Sequence, residues 1–435
     1  MSGPRFRGLR QSGVQIVAIL WCGLVLAQPS LQERIDAAPV GTTLLVEAGV
    51  YAGPLVLNRA LVLIGEPGAE IHGSGSGSVV QVTGNGVTVQ GFRITGSGVN
   101  LSKDDAGVKV TGDDVTIVNN HLDDVLHGIY LKKVRRARIQ ENTIRGKTSL
   151  PPPVRPGSTT IVADAAEVCG AELNINVRGN GIHLWNSEKN LIENNDIAET
   201  RDGMYFSFTR HTRVRGNSVH QVRYGLHYMY SDDNTFEGNE FSDNAAGAAI
   251  MYSKNLMVRG NRFVANRGLR AYGMLLNSVD MTRLENNELS GNSVGIYLEN
   301  CNSNVFTGNI IAQNYIGIRL TGSSGENAFS RNRFSGNLHP VELAGQSESN
   351  RWAIGRIGNY WQNAGVVDLT GDGVGDVPHR EADVLGSVRR PFPLIGLLSG
   401  SPGVSILKFG YRHAPLPDTR AITDPAPLSP GYSQP

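Results

Sequence analysis

Residues 295–311 read Gly295-Ile296-Tyr297-Leu298-Glu299-Asn300-Cys301-Asn302-Ser303-Asn304-Val305-Phe306-Thr307-Gly308-Asn309-Ile310-Ile311, and the chain returns to this pattern through its whole middle. The opening glycine recurs at Gly181, Gly203, Gly225, Gly247, Gly273, Gly295 and Gly317, at intervals of 22 residues apart from one of 26, which is 22 plus a four-residue insertion. Fourteen residues after each of the first six stands an asparagine: Asn195, Asn217, Asn239, Asn261, Asn287 and Asn309. Gly128 with Asn142 obeys the same rule, and Gly107 with Asn120 and Gly317 with Asn332 carry it outward with slight slippage. A fixed period of this length is the signature of a stacked-coil architecture and takes precedence over local propensity.

Within a unit, apolar and polar residues alternate in three runs of two to four residues, which is the period of strands. Alternation sends Ile182, Met204, Leu226, Met274, Ile296 and Ile318 inward as one column and turns the residue after each toward solvent. Glycine and asparagine tolerate a left-handed backbone, so the corners are expected there, and inward asparagines can hydrogen-bond to their copies above and below. A leucine-rich horseshoe shares the period but lacks support: the L-x-x-L-x-L signature is missing and no helical periodicity fills the second half of a unit. The fold class is all-β, a right-handed parallel β-helix of roughly 22-residue coils with a cap at each end.

Composition agrees with this reading. Of 435 residues 53 are glycine with no three-residue period, which excludes collagen, and 40 basic against 39 acidic residues leave a net charge of +1. No global field points to nucleic acid. Residues 1–27 read as a signal peptide, with Arg5, Arg7 and Arg10 before an apolar run that ends at Val25-Leu26-Ala27, the alternative being an uncleaved anchor. Cys22 would leave with it; Cys169 and Cys301 then permit one disulfide but no disulfide framework. The β-helix occupies 28–390, with Leu31 to Ala38 as the N-terminal cap, a Pro-rich inserted loop at 147–177 that holds Cys169, and a C-terminal cap at 352–390 where Asn359 to Pro378 breaks the repeat. Residues 391–435 form an apolar, Pro-rich tail too broken to span a bilayer, which suits docking on a partner.

Three groups of residues invite chemistry. Outward positions two and four residues after the repeat glycine hold His183 and Trp185, Tyr205 and Ser207, His227 and Met229, then Ala249 and Met251. Neighbouring coils lie about 4.8 Å apart, so His227, Met229 and Met251, with His183 on the same stripe, form a candidate copper(I) site of thioether and imidazole donors; a surface patch for a partner is the alternative. Asp368, Thr370, Asp372, Val374 and Asp376, with Gly373 at the tight turn, follow the spacing of a calcium loop, but His379 stands where the bidentate glutamate belongs, and a plain Asp/Gly turn network competes. Asp123-Asp124 near His127 superficially matches the paired acids of polysaccharide hydrolases, though coil-corner aspartates explain them as well.

Beyond these readings, Gly65-Glu-Pro-Gly-Ala69, Gly181-Ile-His-Leu-Trp185, Gly225-Leu-His-Tyr-Met-Tyr230, the cap Gly358-Asn-Tyr-Trp361 with Gly371-Asp-Gly-Val-Gly-Asp376, and Asp424-Pro-Ala-Pro-Leu428 together resemble the NosD family over nearly the whole mature chain. The resemblance implies a periplasmic accessory protein for copper-centre maturation of nitrous oxide reductase in denitrifying bacteria. It implies partners as well: an ABC transporter made of the NosF ATPase and the NosY permease, the copper chaperone NosL, and the reductase itself. No catalysis of its own is implied, and no ligand residues are. The apolar tail from Leu394 to Phe409 is then the natural contact for the membrane permease. The alternative is a β-helix carbohydrate-active enzyme or polysaccharide-binding protein.

Overall fold

A computed structural model describes residues 29–149, 174–267, 271–345, 349–362, 364–382, 398, 401–413 and 421–432. The expected signal peptide at 1–27, Cys169 with most of the expected inserted loop, and much of the expected tail lie outside the described residues.

Each coil contributes one strand to each of three parallel sheets, so strands pair with the third strand along the chain. The first sheet has 12 strands from Thr43–Val46 to Ala328–Ser330, the second 13 from Gly49–Ala52 to Tyr360–Trp361, and the third 12 from Leu55–Leu57 to His339–Ala344. The expected inner column is continuous: Ile182, Met204, Leu226, Ala248, Met274, Ile296 and Ile318 follow one another in register, all buried. Ala248 fills the place that the sequence column skipped. Strands of the third sheet reach nine residues at Ala246–Lys254 and Tyr272–Asp280, longer than the two to four read from alternation. No single coil buries its own inner face, so the core exists only through stacking.

The asparagines form a continuous ladder from Asn120 through Asn142, Asn195, Asn217, Asn239, Asn261, Asn287, Asn309 and Asn332 to Asn359. Each donates both its backbone N–H and its side-chain amide to the Oδ1 of the next, at 2.8–3.1 Å. These are buried polar groups satisfied by repetition.

The role expected of the repeat glycine needs correcting. From Gly181 to Gly295 none takes a left-handed conformation; instead a Cβ at each would stand 2.5–2.8 Å from the carbonyl oxygen of the next glycine in the column. Left-handed corners fall elsewhere, among them the residue just before each ladder asparagine from Asn120 to Asn332, such as Asn194 (φ 54°), Gly216 (φ 63°) and Asn286 (φ 55°). Glycine is therefore selected by the close approach of adjacent coils, not by backbone handedness.

Both ends are closed. The helix Leu31–Ala37, started by a capping box of Ser30 and Glu33, buries Leu31 and Ile35 over the first coil. Its Gln32 side chain accepts from Val56 N at 2.8 Å and donates to Val56 O at 3.2 Å, standing in for the missing next strand. At the far end Asp424, fully buried, accepts from the backbone and side-chain N–H groups of Asn359 and from Trp361 Nε1 at 2.9 Å, so a carboxylate terminates the ladder. Ala421–Asp424 pairs antiparallel with His379–Ala382. The sequence placed 421–432 in the docking tail; the structure makes it part of the cap, because the last ladder amides need an acceptor that no further coil supplies.

Candidate metal centre

The outer face of the third sheet carries two columns. In one, Tyr130, His183, Tyr205, His227 and Ala249 lie in register; in the other, Lys132, Trp185, Ser207, Met229, Met251 and Asn277. Met229 and Met251 are thus direct cross-strand neighbours, about 4.8 Å apart at the backbone, and His227 precedes Met229 by two residues on the same face of its strand Tyr224–Met229. All three side chains are half-buried.

Asp202, which the sequence reading passed over, organises this group. It sits one residue before Gly203, fully buried, and accepts from Arg223 Nε and Nη2 at 2.8 Å each and from His227 Nδ1 at 2.9 Å. Burial works to raise its pKa, but the hydrogen bonds and charges of His227 and Arg223 outweigh burial and hold the carboxyl below the ordinary carboxylate range. An ionised carboxylate only accepts, so whenever the His227 ring carries a single proton that proton is held on Nδ1 and the Nε2 lone pair is left for a ligand. A buried carboxylate behind a histidine is the usual outer-sphere partner of a metal-binding imidazole. The signal was an acid at a position where neighbouring coils have Asn180, Tyr224 and Ala246, 25 residues from the histidine it serves.

His183 is not brought to this group. Tyr205 lies between it and His227, with ring centroids 4.5 Å and 4.9 Å from the two. Its chemistry is unsuitable too. Asn180 Oδ1 accepts from Arg201, which turns Asn180 Nδ2 toward His183 Nδ1 at 3.1 Å; Nδ1 must accept, so the ring proton occupies Nε2. His127 below it is held the same way, accepting the Asn180 N–H at 2.9 Å. Burial pushes His183 well below its ordinary pKa and His127 down to about 4, so both are neutral packing rings at neutral pH.

Among the described residues no group of three His, Cys, Asp and Glu side chains is placed to hold a metal. The oxygen donors expected for calcium accordingly do not converge. Asp368 accepts from Gly371 N at 2.6 Å, Gly373 N at 2.8 Å and Thr370 Oγ1 at 3.4 Å; Asp372 accepts from Val374 N at 2.9 Å; and Asp376 accepts from Leu369 N at 2.7 Å. These carboxylates close the loop on its own amides, and Val374 bridges to Leu428 of the cap. Asp123 and Asp124 form separate ion pairs, with Arg93 at 3.0 Å and with Lys147 at 2.7 Å. Cys301 is free and fully buried, its thiol pushed up to about 11 by burial.

Comparison with known proteins gives three findings. The family model described as "Periplasmic copper-binding protein (NosD)" matches residues 157–365. Two proteins named "Probable ABC transporter binding protein NosD" align along nearly the full length: one from Pseudomonas aeruginosa at 34% identity, covering 95% of this chain and 94% of that one, and one from Stutzerimonas stutzeri at 28%, covering 96% and 94%. Among solved structures, the Yersinia enterocolitica family 28 exopolygalacturonase superposes with a TM-score of 0.50 at 10% identity, over 74% of this chain and 73% of that one, a likeness of fold alone.

Proposed function

The chain belongs to the NosD family, and from that premise we propose that it is a periplasmic carrier of copper(I), holding the ion with His227 Nε2 and the thioethers of Met229 and Met251. The observation that carries this reading is the buried Asp202, which leaves His227 the one histidine of the stripe with a free Nε2 lone pair, beside two registered methionines. Thioethers and a neutral imidazole suit a soft monovalent ion and discriminate against hard cations. Copper is cargo here, and the protein acts as an assembly factor for the copper centres of nitrous oxide reductase, with NosL as the copper source and no catalysis of its own.

The names of the relatives support an ABC transporter as partner, which we take to be NosF–NosY, and the contact we assign to it is the C-terminal helix Pro402–His413, which buries Val404 but exposes Ile406, Leu407 and Phe409. This helix meets the permease at the membrane surface; among the described residues no helix is long and apolar enough to cross a membrane. The reading of a carbohydrate-active enzyme gains no support from Asp123 and Asp124, whose ion pairs are separate.

The test is anaerobic titration with copper(I) against a competing chelator. One ion per chain is expected, with affinity falling at least about 100-fold in a His227→Ala, Met229→Ala, Met251→Ala variant of unchanged circular dichroism. Absence of binding, or binding indifferent to the variant, removes the site.

A further inference from the structure

Where the third sheet turns into the first, the seven coils from Lys133 to Asn300 each carry two left-handed residues, one at the corner and one three positions later, such as Arg136, Lys189 and His211. In four of these coils the corner residue is a polar or flexible type: Lys133, Asn186, Ser278 and Asn300. In three consecutive coils it is Phe208 (φ 52°), Tyr230 (φ 49°) and Tyr252 (φ 51°). Left-handed corners recur throughout this coil and hold bulky residues elsewhere too, such as Arg136, His211 and Met281, but among the described residues only these three are Phe or Tyr, each at a cost of about 1 kcal/mol or more. The rings stack along the helix axis, Phe208 on Tyr230 at 5.4 Å and 10° and Tyr230 on Tyr252 at 5.1 Å and 9°, which returns part of that cost. They stay about half exposed, at 53%, 47% and 49%. Stacking covers the ring faces between them and leaves the edges outward, which suits a protein surface better than the flat face of a sugar.

Cations border this ladder. A recess of about 570 Å³ beside Phe208 and Tyr230 is lined by Lys133, Arg135, Arg210 and Glu188, with Arg135 paired to Asp113 at 3.2 Å and Arg210 to Asp232 at 3.7 Å at its edge. The next recess along the first sheet, about 530 Å³, is lined by Arg136, Arg138, Lys189, Arg213 and Arg215 against Asp114. Among the described residues Lys133, Arg138, Lys189 and Arg213 have no ion-pair partner, in a chain whose net charge is only +1. Aromatic anchors inside a basic rim are the composition of an interface hot spot, here shaped for a negative partner. The ladder also abuts the candidate metal centre, since Tyr230 follows Met229 and Tyr252 follows Met251 in the chain.

We propose that the Phe208–Tyr230–Tyr252 ladder and the adjoining basic recess are the docking surface for an acidic protein that exchanges copper(I) with Met229 and Met251. The identity of the exchanged ion rests on the function proposed above; the docking itself does not. A partner seated on the rings has its copper ligands within a residue or two of the thioethers, and the basic rim steers it there.

The experiment uses the mature protein and two short synthetic peptides, one Met-x-x-Met core flanked by glutamates and the same core flanked by lysines. Loaded with copper(I), the acidic donor is expected to transfer at least about tenfold faster at low salt, an advantage that high salt or Lys133→Glu with Arg210→Glu abolishes. Equal rates, or a ratio untouched by charge reversal, overturn the proposal. Fluorescence anisotropy of the copper-free acidic peptide reads docking without metal. Binding weakened about tenfold by Phe208→Ser, Tyr230→Ser and Tyr252→Ser supports the surface even if the copper titration fails, whereas binding indifferent to those changes overturns it. Polygalacturonate bound more tightly than the peptide, with the rings dispensable, marks a polyanion patch and also overturns it.

Discussion

Removing one rung of the asparagine ladder, by Asn239→Ala in the middle of the solenoid, tests the account of the fold most sharply. Asn239 Oδ1 accepts from Asn217 N at 3.0 Å and Asn217 Nδ2 at 2.8 Å, while its own Nδ2 donates to Val214 O at 2.9 Å and Asn261 Oδ1 at 2.9 Å. Asn217 Nδ2 keeps Ile192 O and Arg215 O, and Asn261 Oδ1 keeps the Asn239 backbone N–H. Two groups therefore lose their partner: the buried Asn217 N–H outright, and Val214 O one donor. At about 1–3 kcal/mol for each stranded group the loss is about 2–6 kcal/mol, centred near 4. Because a solenoid is held by nearest-neighbour interfaces, the damage falls on the adjacent coils first. Hydrogen exchange read by mass spectrometry over residues 213–242 should speed about 1000-fold, at about 1.4 kcal/mol per factor of ten, while coils near Leu31 and Trp361 change little. An acceleration of less than about tenfold, or one spread evenly over all coils, refutes the ladder as the local source of stability.

Three further outcomes are expected. Asp202→Asn should lower copper(I) affinity about 10–100-fold with the fold retained by circular dichroism, because the amide no longer enforces the Nδ1–H form of His227; unchanged affinity separates Asp202 from the site. His127 is held to about 4 against an ordinary 6.5, so the unfolded chain binds more protons between these values, and stability present above pH 6.5 should fall by about 3 kcal/mol on acidification to pH 4, with His183 acting in the same sense. Urea midpoints across this range give the slope, which should be shallower in His127→Gln; a flat profile contradicts the burial. Gly203→Ala, whose Cβ would lie 2.1 Å from Val219 Cγ1 and 2.8 Å from Gly225 O, should cost about 3 kcal/mol, whereas Gly238→Ala, with φ +60° and open space, should cost about 1, as measured by their melting temperatures.

The parts of this structure that repeat were legible, and those that occur once were not. The spacing of Gly181 to Gly317 and of Asn195 to Asn309 states the register directly, so the coil, the inner column and the ladder followed from it. What each repeated residue does was harder: the glycine meets a carbonyl oxygen in the next coil, a contact with no local trace, and the left-handed turns lie elsewhere, among them on the unremarked residue before each asparagine from Asn120 to Asn332. In the candidate site, the registered pair Met229 and Met251 came from the period alone. Asp202 did not, since its partners Arg223 and His227 lie in the next coil and only stacking aligns them. His183 was admitted on column membership, and its exclusion depends on the tautomer set by Asn180 and Arg201. Asp424 closes the ladder on Asn359 from 65 residues away in the chain, across a segment without period. The calcium-like spacing from Asp368 to Asp376 is real as sequence, but the loop amides claim its carboxylates.

The central claim is the ligand set, and X-ray absorption at the copper edge of the mature protein loaded with one equivalent of copper(I) addresses it directly. A first shell of one imidazole nitrogen and two thioether sulfurs is expected, reduced to one sulfur in Met251→Ala with the nitrogen retained. A shell of oxygen and nitrogen alone, or one unaltered in that variant, contradicts the assignment.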